Sequence, residues 1–232
     1  MILAFETSAK AASVALLDGE TLLGESYQNT GLTHSQTLMS MAENLLNTCG
    51  KTPLDVTAVA VAAGPGSFTG VRIGVAAAKG FAWGREVPCY GVSTLEAMAR
   101  NLDFWEGTVV PCMDARRNQT YTAIFHAEDG KLKRLVEDCA ISVEELGQKL
   151  IYCKKPIFLV GDGAVLCYNT LQETVPGLVL PAEHRRHQRA AGVALVAADM
   201  VAAGVPGDGA SLTPNYLRLS QAERERLARE SK

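Results

Sequence analysis

The residues best placed to do chemistry form one stretch, Gly64-Pro65-Gly66-Ser67-Phe68-Thr69-Gly70-Val71-Arg72-Ile73-Gly74, between an apolar run and a helical pattern that continues to about Trp83. A glycine turn that opens a helix is an arrangement that holds phosphate. The first turn of a helix offers unpaired N–H groups and the positive end of its dipole. The spacing fits neither common phosphate cradle. Gly64, Gly66 and Gly70 read G-x-G-x-x-x-G, one residue longer than the dinucleotide fingerprint, and Lys79, the only nearby lysine, lies far inside the helix and is followed by Gly80. Ser67 and Thr69 lack a G-x-S-x-G elbow and are read as N-cap and first-turn residues rather than nucleophiles. A different regularity remains: Gly66, Gly70 and Gly74 recur every four residues, a row without side chains along one helix face. A glycine inside a helix costs about 1 kcal/mol relative to alanine, so the row calls for a neighbour packed closely enough to offset it.

Other candidates carry less chemistry. His34, His126, His184 and His187 contain no H-x-x-x-H pair, and the isolated His184-x-x-His187 has no third ligand near it, so no metal site is expected. His184-Arg185-Arg186-His187-Gln188-Arg189 is the one dense basic cluster, either a solvated loop before a helix or a contact for nucleic-acid phosphate. A net charge of −3 and a pI near 5.8 make the chain a poor nucleic-acid binder by itself. Its six cysteines are scattered without a C-x-x-C and sit mostly in apolar segments, as reduced thiols do. The sequence begins without a basic n-region and has no run of about 18 apolar residues, so the expectation is a cytoplasmic protein without membrane spans.

The elements that must position these residues repeat. Residues 2–6, 13–17 and 21–27 read as an antiparallel meander with Asp18-Gly19 as its first turn. Thr33 and Gln36 have the spacing of a capping box, and Leu38, Met41, Ala42, Leu45 and Cys49 follow at helical intervals until Gly50. The other face of that helix, near His34 and Leu46, is left for a partner. Residues 56–63 are nearly all apolar, a strand covered on both faces, and lead into the glycine stretch. The second half repeats this order: a strand at 108–114, a turn at Arg116-Arg117-Asn118, strands at 120–127 and 131–136 around Asp129-Gly130, a helix capped by Ser142, a short strand at 157–160, and a helix at 164–174. A helix at about 191–203 and a charged tail from Gln221 follow. The chain is therefore expected to be α/β, two tandem βββαβα lobes divided at 1–104 and 105–232.

Tandem βββαβα units resemble the actin-like ATPase (ASKHA) superfamily. The glycine stretch narrows the resemblance to the TsaB family, partner subunits in bacterial synthesis of N6-threonylcarbamoyladenosine on tRNA. Thr7-Ser8, Thr33-His34-Ser35, Asp114-Ala115-Arg116 and Pro214-Asn215-Tyr216-Leu217-Arg218 are similar to that family as well, although Glu6 stands where such proteins more often carry Asp. The resemblance implies a scaffold that binds and activates TsaD, the paralogue that carries out the transfer, with the ATPase TsaE joining. Modification would fall on adenosine 37 of ANN-decoding tRNAs, and tRNA would be met only through the complex; a homodimer of the isolated chain stays open. It also implies that ATP and metal belong to the partner subunits and that this chain is not an enzyme. Where TsaD-like sequences place an H-x-x-x-H metal pair, Thr94 and Met98 stand here. Asp114-Ala115-Arg116-Arg117-Asn118 has no glycine to admit phosphates, and Gly161-Asp162-Gly163 keeps only part of an adenosine turn. Glu6, Thr7, Ser8, Gly161 and Gly163 mark where a nucleotide would sit, and none is expected to bind. The partner face is expected at Thr33, His34, Gly66, Ser67, Phe68, Thr69, Gly70, Arg72 and Gly74. An actin-fold small-molecule kinase and a metallopeptidase are the alternative readings.

Overall fold

The structure, a computed structural model, describes residues 1–218; the charged tail from Gln221 lies outside them. In the first half, β1 (Ile2–Glu6), β2 (Ala12–Asp18) and β3 (Thr21–Gln28) form the meander, and α1 (His34–Thr48), β4 (Ala58–Gly64), α2 (Phe68–Arg85), β5 (Cys89–Ser93) and α3 (Thr94–Ala99) follow. The second half runs β6 (Gly107–Asp114), β7 (Gln119–Glu128), β8 (Lys131–Ser142), α4 (Val143–Leu150), β9 (Ile157–Val160), α5 (Ala164–Leu171) and β10 (Leu178–Val179), then α6 (Glu183–Arg186) and α7 (Ala190–Ala202). The two sheets share one plan. Their orders are β3-β2-β1-β4-β5 and β8-β7-β6-β9-β10, each with an antiparallel meander on one side of its first strand and parallel strands on the other. Each sheet thus has a fifth strand beyond the βββαβα pattern.

Why β1 and β4 read as unbroken apolar runs is clear from their two faces. Leu3, Phe5, Val59 and Val61 point into the core under α1 and α2. Ile2, Ala4, Ala58, Ala60 and Ala62 point the other way, against α7. The alanines on this second face keep it flat, and α7 is itself rich in alanine, so helix and sheet approach closely. α7 follows the second sheet in the chain yet packs on the first, so the two lobes do not divide at a single point near residue 104.

Local differences from the sequence reading have physical causes. The first hairpin pairs Asp18 with Thr21, placing its two-residue turn at Gly19-Glu20, where only Gly19 has positive φ (+57°). Thr33 occupies the N-cap of α1, but its side chain caps nothing; the Gln36 N–H donates to the Thr33 carbonyl at 2.9 Å. Leu46 is buried in the first core, not turned outward. β8 continues past Val136 to Ser142, whose hydroxyl accepts from the Glu145 N–H at 3.0 Å, and α5 stops at Leu171.

After α7 the chain returns along α2. Lys79 Nζ donates to the carbonyls of Ala210 (3.1 Å) and Leu212 (2.9 Å), and the Asn215 N–H donates to the Ala63 carbonyl at 2.7 Å. Gly64 (φ +117°) has room for this strap only because it lacks a side chain: a Cβ there would lie 2.4 Å from the Asn215 carbonyl oxygen. At its end Arg218 crosses to the second lobe and donates to the Ala115 carbonyl at 2.7 Å.

Candidate functional site

The glycine row faces inward. A Cβ on Gly66 would lie 2.5 Å from the Ser8 carbonyl oxygen, one on Gly70 2.1 Å from that of Thr7, and one on Gly74 2.3 Å from the Thr7 hydroxyl. The backbone that the missing side chains admit belongs to this chain, at the turn after β1. Thr7 Oγ1 donates to the Gly70 carbonyl at 2.8 Å, and the Ser67 N–H donates to the Ser8 carbonyl at 2.6 Å. Ser67 caps α2 as expected, accepting from the Gly70 N–H at 3.3 Å. Gly66, Gly70 and Gly74 are thus corrected from partner contacts to internal packing.

The remaining residues of that face divide. Ser67, Thr69 and Arg72 are exposed, as is Thr33. His34 is turned inward, its Nε2 2.8 Å from the Ala9 carbonyl oxygen. Phe68 stacks on Tyr216 at 4.5 Å between ring centroids, with the Arg72 guanidinium 3.8 Å above the Phe68 ring and its Nε donating to the Tyr216 hydroxyl at 2.7 Å. This layer ties the strap to α2. Sequence reasoning quoted both segments without joining them, since nothing local links residues 144 positions apart.

The second lobe closes its glycine turn in the same way. A Cβ on Gly161 (φ +105°) would lie 2.2 Å from the Cys112 carbonyl oxygen, and one on Gly163 2.9 Å from the Asp114 nitrogen. In each lobe, then, glycines after the parallel strand press against the end of the first strand. Between the lobes lies a cleft of about 450 Å³, lined among others by Ser8, Lys10, Phe68, Arg116, Tyr216 and Arg218. Four strap residues in a row, 215–218, are among its lining. Gly70, Gly161 and Gly163 pack on this chain's own backbone and do not line the cleft, whereas Gly66 does, so the cleft lacks the glycine turn on each side that holds a nucleotide in actin-like ATPases.

Beneath the cleft Glu6 is wholly buried. Burial pushes its pKa up to about 7, offset in part by the Ser8 N–H that it accepts at 2.5 Å, while the Asp162 carboxylate raises it further; its second oxygen has no partner among the described residues. Thr94 and Met98, at the positions compared with a metal pair, are both buried in the core. Of the basic cluster, His184 and Arg185 are exposed on α6, while Arg189 pairs with the buried carboxylate of Glu25. Among the described residues no group of His, Cys, Asp and Glu could hold a metal ion, and no helix is long and apolar enough to cross a membrane.

At the cleft mouth the β6–β7 turn does something the sequence did not announce. Arg116, Arg117 and Asn118 are all left-handed, with φ of 65°, 56° and 58°. The absence of glycine had pointed away from this conformation; only Asn118, a residue that tolerates it, gave a signal. On the opposite flank of α2, Thr69, Ile73, Ala76, Gly80 and Trp83 recur at 4-3-4-3 spacing, the repeat of a helix–helix seam. Among the described residues nothing lies within 4 Å of where a Gly80 Cβ would be, and Trp83 is 86% exposed.

The family model of tRNA N6-adenosine threonylcarbamoyltransferase, TsaD, matches residues 28–225. The tRNA threonylcarbamoyladenosine biosynthesis protein TsaB of Bacillus subtilis (strain 168) is 34% identical over 225 residues, which are 96% of this chain and 96% of that one. The solved structure of YeaZ from Pseudomonas aeruginosa superposes with a TM-score of 0.80 at 27% identity, covering 93% of this chain and 99% of that one. A ROK hexokinase from Thermus thermophilus, at 12% identity and a TM-score of 0.50 over 88% of this chain and 99% of its own, shares the actin-like ATPase fold alone. The chain belongs to the TsaD-type domain family and, within it, to the TsaB proteins of tRNA threonylcarbamoyladenosine biosynthesis.

Proposed function

We propose that this chain acts as a non-catalytic subunit that binds TsaD as a heterodimer and activates it for threonylcarbamoyl transfer to tRNA in the cytoplasm. TsaE joins that assembly, and ATP and metal are held by the partners. The observation that carries the reading is the outer face of α2. Its small residues Ala76 and Gly80 are exposed, and beside them the indole of Trp83 is 86% exposed. A smooth seam with one large aromatic side chain is suited to another helix, and a buried tryptophan is the kind of residue on which interface energy concentrates. The packing of Gly161 and Gly163 on backbone supports the absence of catalysis by this chain, because it leaves the second lobe's side of the cleft without a glycine turn for phosphate.

The test is a titration of TsaD with Trp83→Glu and Gly80→Arg variants. Each is expected to weaken binding by at least about 30-fold, corresponding to the loss of a hot spot of about 2 kcal/mol. Their circular dichroism should match that of the parent chain, and neither unfolding midpoint should fall well below the parent's, since neither site is packed against the described residues of its own protein. Undiminished binding by both variants would exclude this face.

A further inference from the structure

We infer that the mouth of the interlobe cleft is a contact surface for an RNA backbone, the tRNA substrate of the complex. The inference rests on the partner reading above, because it needs this chain to be held beside the tRNA during modification.

The charge there runs against that of the whole molecule. Lys10, Arg116 and Arg218 line the cleft, with Arg117 next along the turn and Arg72 bonded to a lining tyrosine; the lining carboxylates are Asp114 and Asp162. Asp114 is 3.6 Å from the Arg116 guanidinium, whose side chain is nevertheless 87% exposed. Glu144, at the start of α4, accepts from the Asn118 amide at 2.6 Å. In a chain of net charge −3 this is a concentrated cationic rim.

The backbone holds two of these cations out at a cost. The left-handed conformation crowds the Cβ of a non-glycine residue against its own carbonyl, and here Arg116, Arg117 and Asn118 adopt it in succession. The β7–β8 turn at the other end of the sheet has two left-handed residues, and its second is Gly130. Strain of this kind gathers at functional sites, and here it serves to present arginines.

An aromatic ring stands beside the cations. Tyr216 is 39% exposed, backed on Phe68 and fixed by the Arg72 bond, so a base could stack on it without reordering the strap. Phosphate contacts from Arg and Lys next to such a ring are the combination that binds single-stranded or loop RNA. A free nucleotide is the lesser fit, since Gly70, Gly161 and Gly163 pack on the chain's own backbone and only Gly66 opens to the cleft.

The experiment is fluorescence anisotropy of a labelled, unmodified tRNA transcript with the full chain in complex with TsaD, over a range of salt. Arg116→Glu with Arg117→Glu is expected to weaken binding at least 10-fold and to reduce the slope of log K against log[salt] by about 2. Lys131→Glu with Lys133→Glu makes the same change in net charge at the far hairpin, and should shift affinity less than about 2-fold. Arg116→Lys with Arg117→Lys guards against a folding defect and should retain most binding. Equal losses in the two charge-reversed variants, or none in the first, would overturn the inference. So would displacement of tRNA from the parent complex by millimolar inorganic phosphate at constant ionic strength, which would make this a small-anion site. Failure of the parent chain to bind TsaD would instead fault the partner reading, and the same comparison would then be made on the chain alone.

Discussion

Glu6 ties the stability of this molecule to pH. Its carboxyl is wholly buried, with one oxygen unpaired, and its pKa stands near 7 instead of the ordinary 4.5. Between those values the unfolded chain has lost the proton and the folded chain keeps it. Folding therefore takes up a proton there, and stability falls as pH rises from about 4.5 to about 7, then levels. The span corresponds to a loss on the order of 3 kcal/mol. Glu6→Gln should raise the urea midpoint relative to the parent at pH 8, and the difference should shrink towards nothing near pH 4.5. A difference independent of pH would mean that the carboxyl titrates alike folded and unfolded. The sequence displayed Glu6 as the last residue of the first strand and the place where the family more often has Asp. It could not display the burial, which comes from segments far along the chain.

At the scale of elements, α2 has two faces built from the same kind of residue for opposite ends. Gly70 and Gly74 are pressed against Thr7, whereas Gly80 meets nothing. Gly74→Leu should therefore destabilise the chain by about 1–3 kcal/mol or more, since even its Cβ overlaps the Thr7 hydroxyl. Gly80→Ala should stabilise it by up to about 1 kcal/mol. Unfolding of the two variants side by side checks the orientation of the helix, and the reverse order would show it rotated. The glycine spacing was legible in the sequence, as was the close backbone approach it required. Which backbone came close was not, because an i, i+4 row is the same whether it meets a partner or the turn after β1. The meanders, α1, α2, α4 and the apolar strands were readable from periodicity and capping alone. β5 and β10 were not: one is interrupted by Gly91 and the other is two residues long, too short for a periodic signal.

For the whole molecule, the repeat of two sheets with one strand order was visible as a repeat of element order. The return of α7 to the first sheet was not, since an alanine-rich helix carries no address for the face it covers. Residues 1–104 alone would expose Ile2, Ala4, Ala58, Ala60 and Ala62, the surface that α7 covers. That fragment is expected to bind hydrophobic dye and to unfold without cooperativity. Adding a peptide that spans Ala190–Ala202 in trans should reduce dye binding. A cooperative transition in the fragment alone would show that the helix is dispensable.

The placement of α7 also bears on how the protein is made. The strands of the first sheet are complete by Ser93, but the helix that seals their second face begins at Ala190. At a ribosome adding about 5–20 residues per second, the sheet waits for about 5–20 s with one side uncovered. Over that interval the nascent chain offers a flat alanine surface to whatever meets it first, and a stalled or truncated transcript would leave it so permanently. The first-formed half of this molecule is thus finished almost last, by a segment that arrives after the whole second sheet.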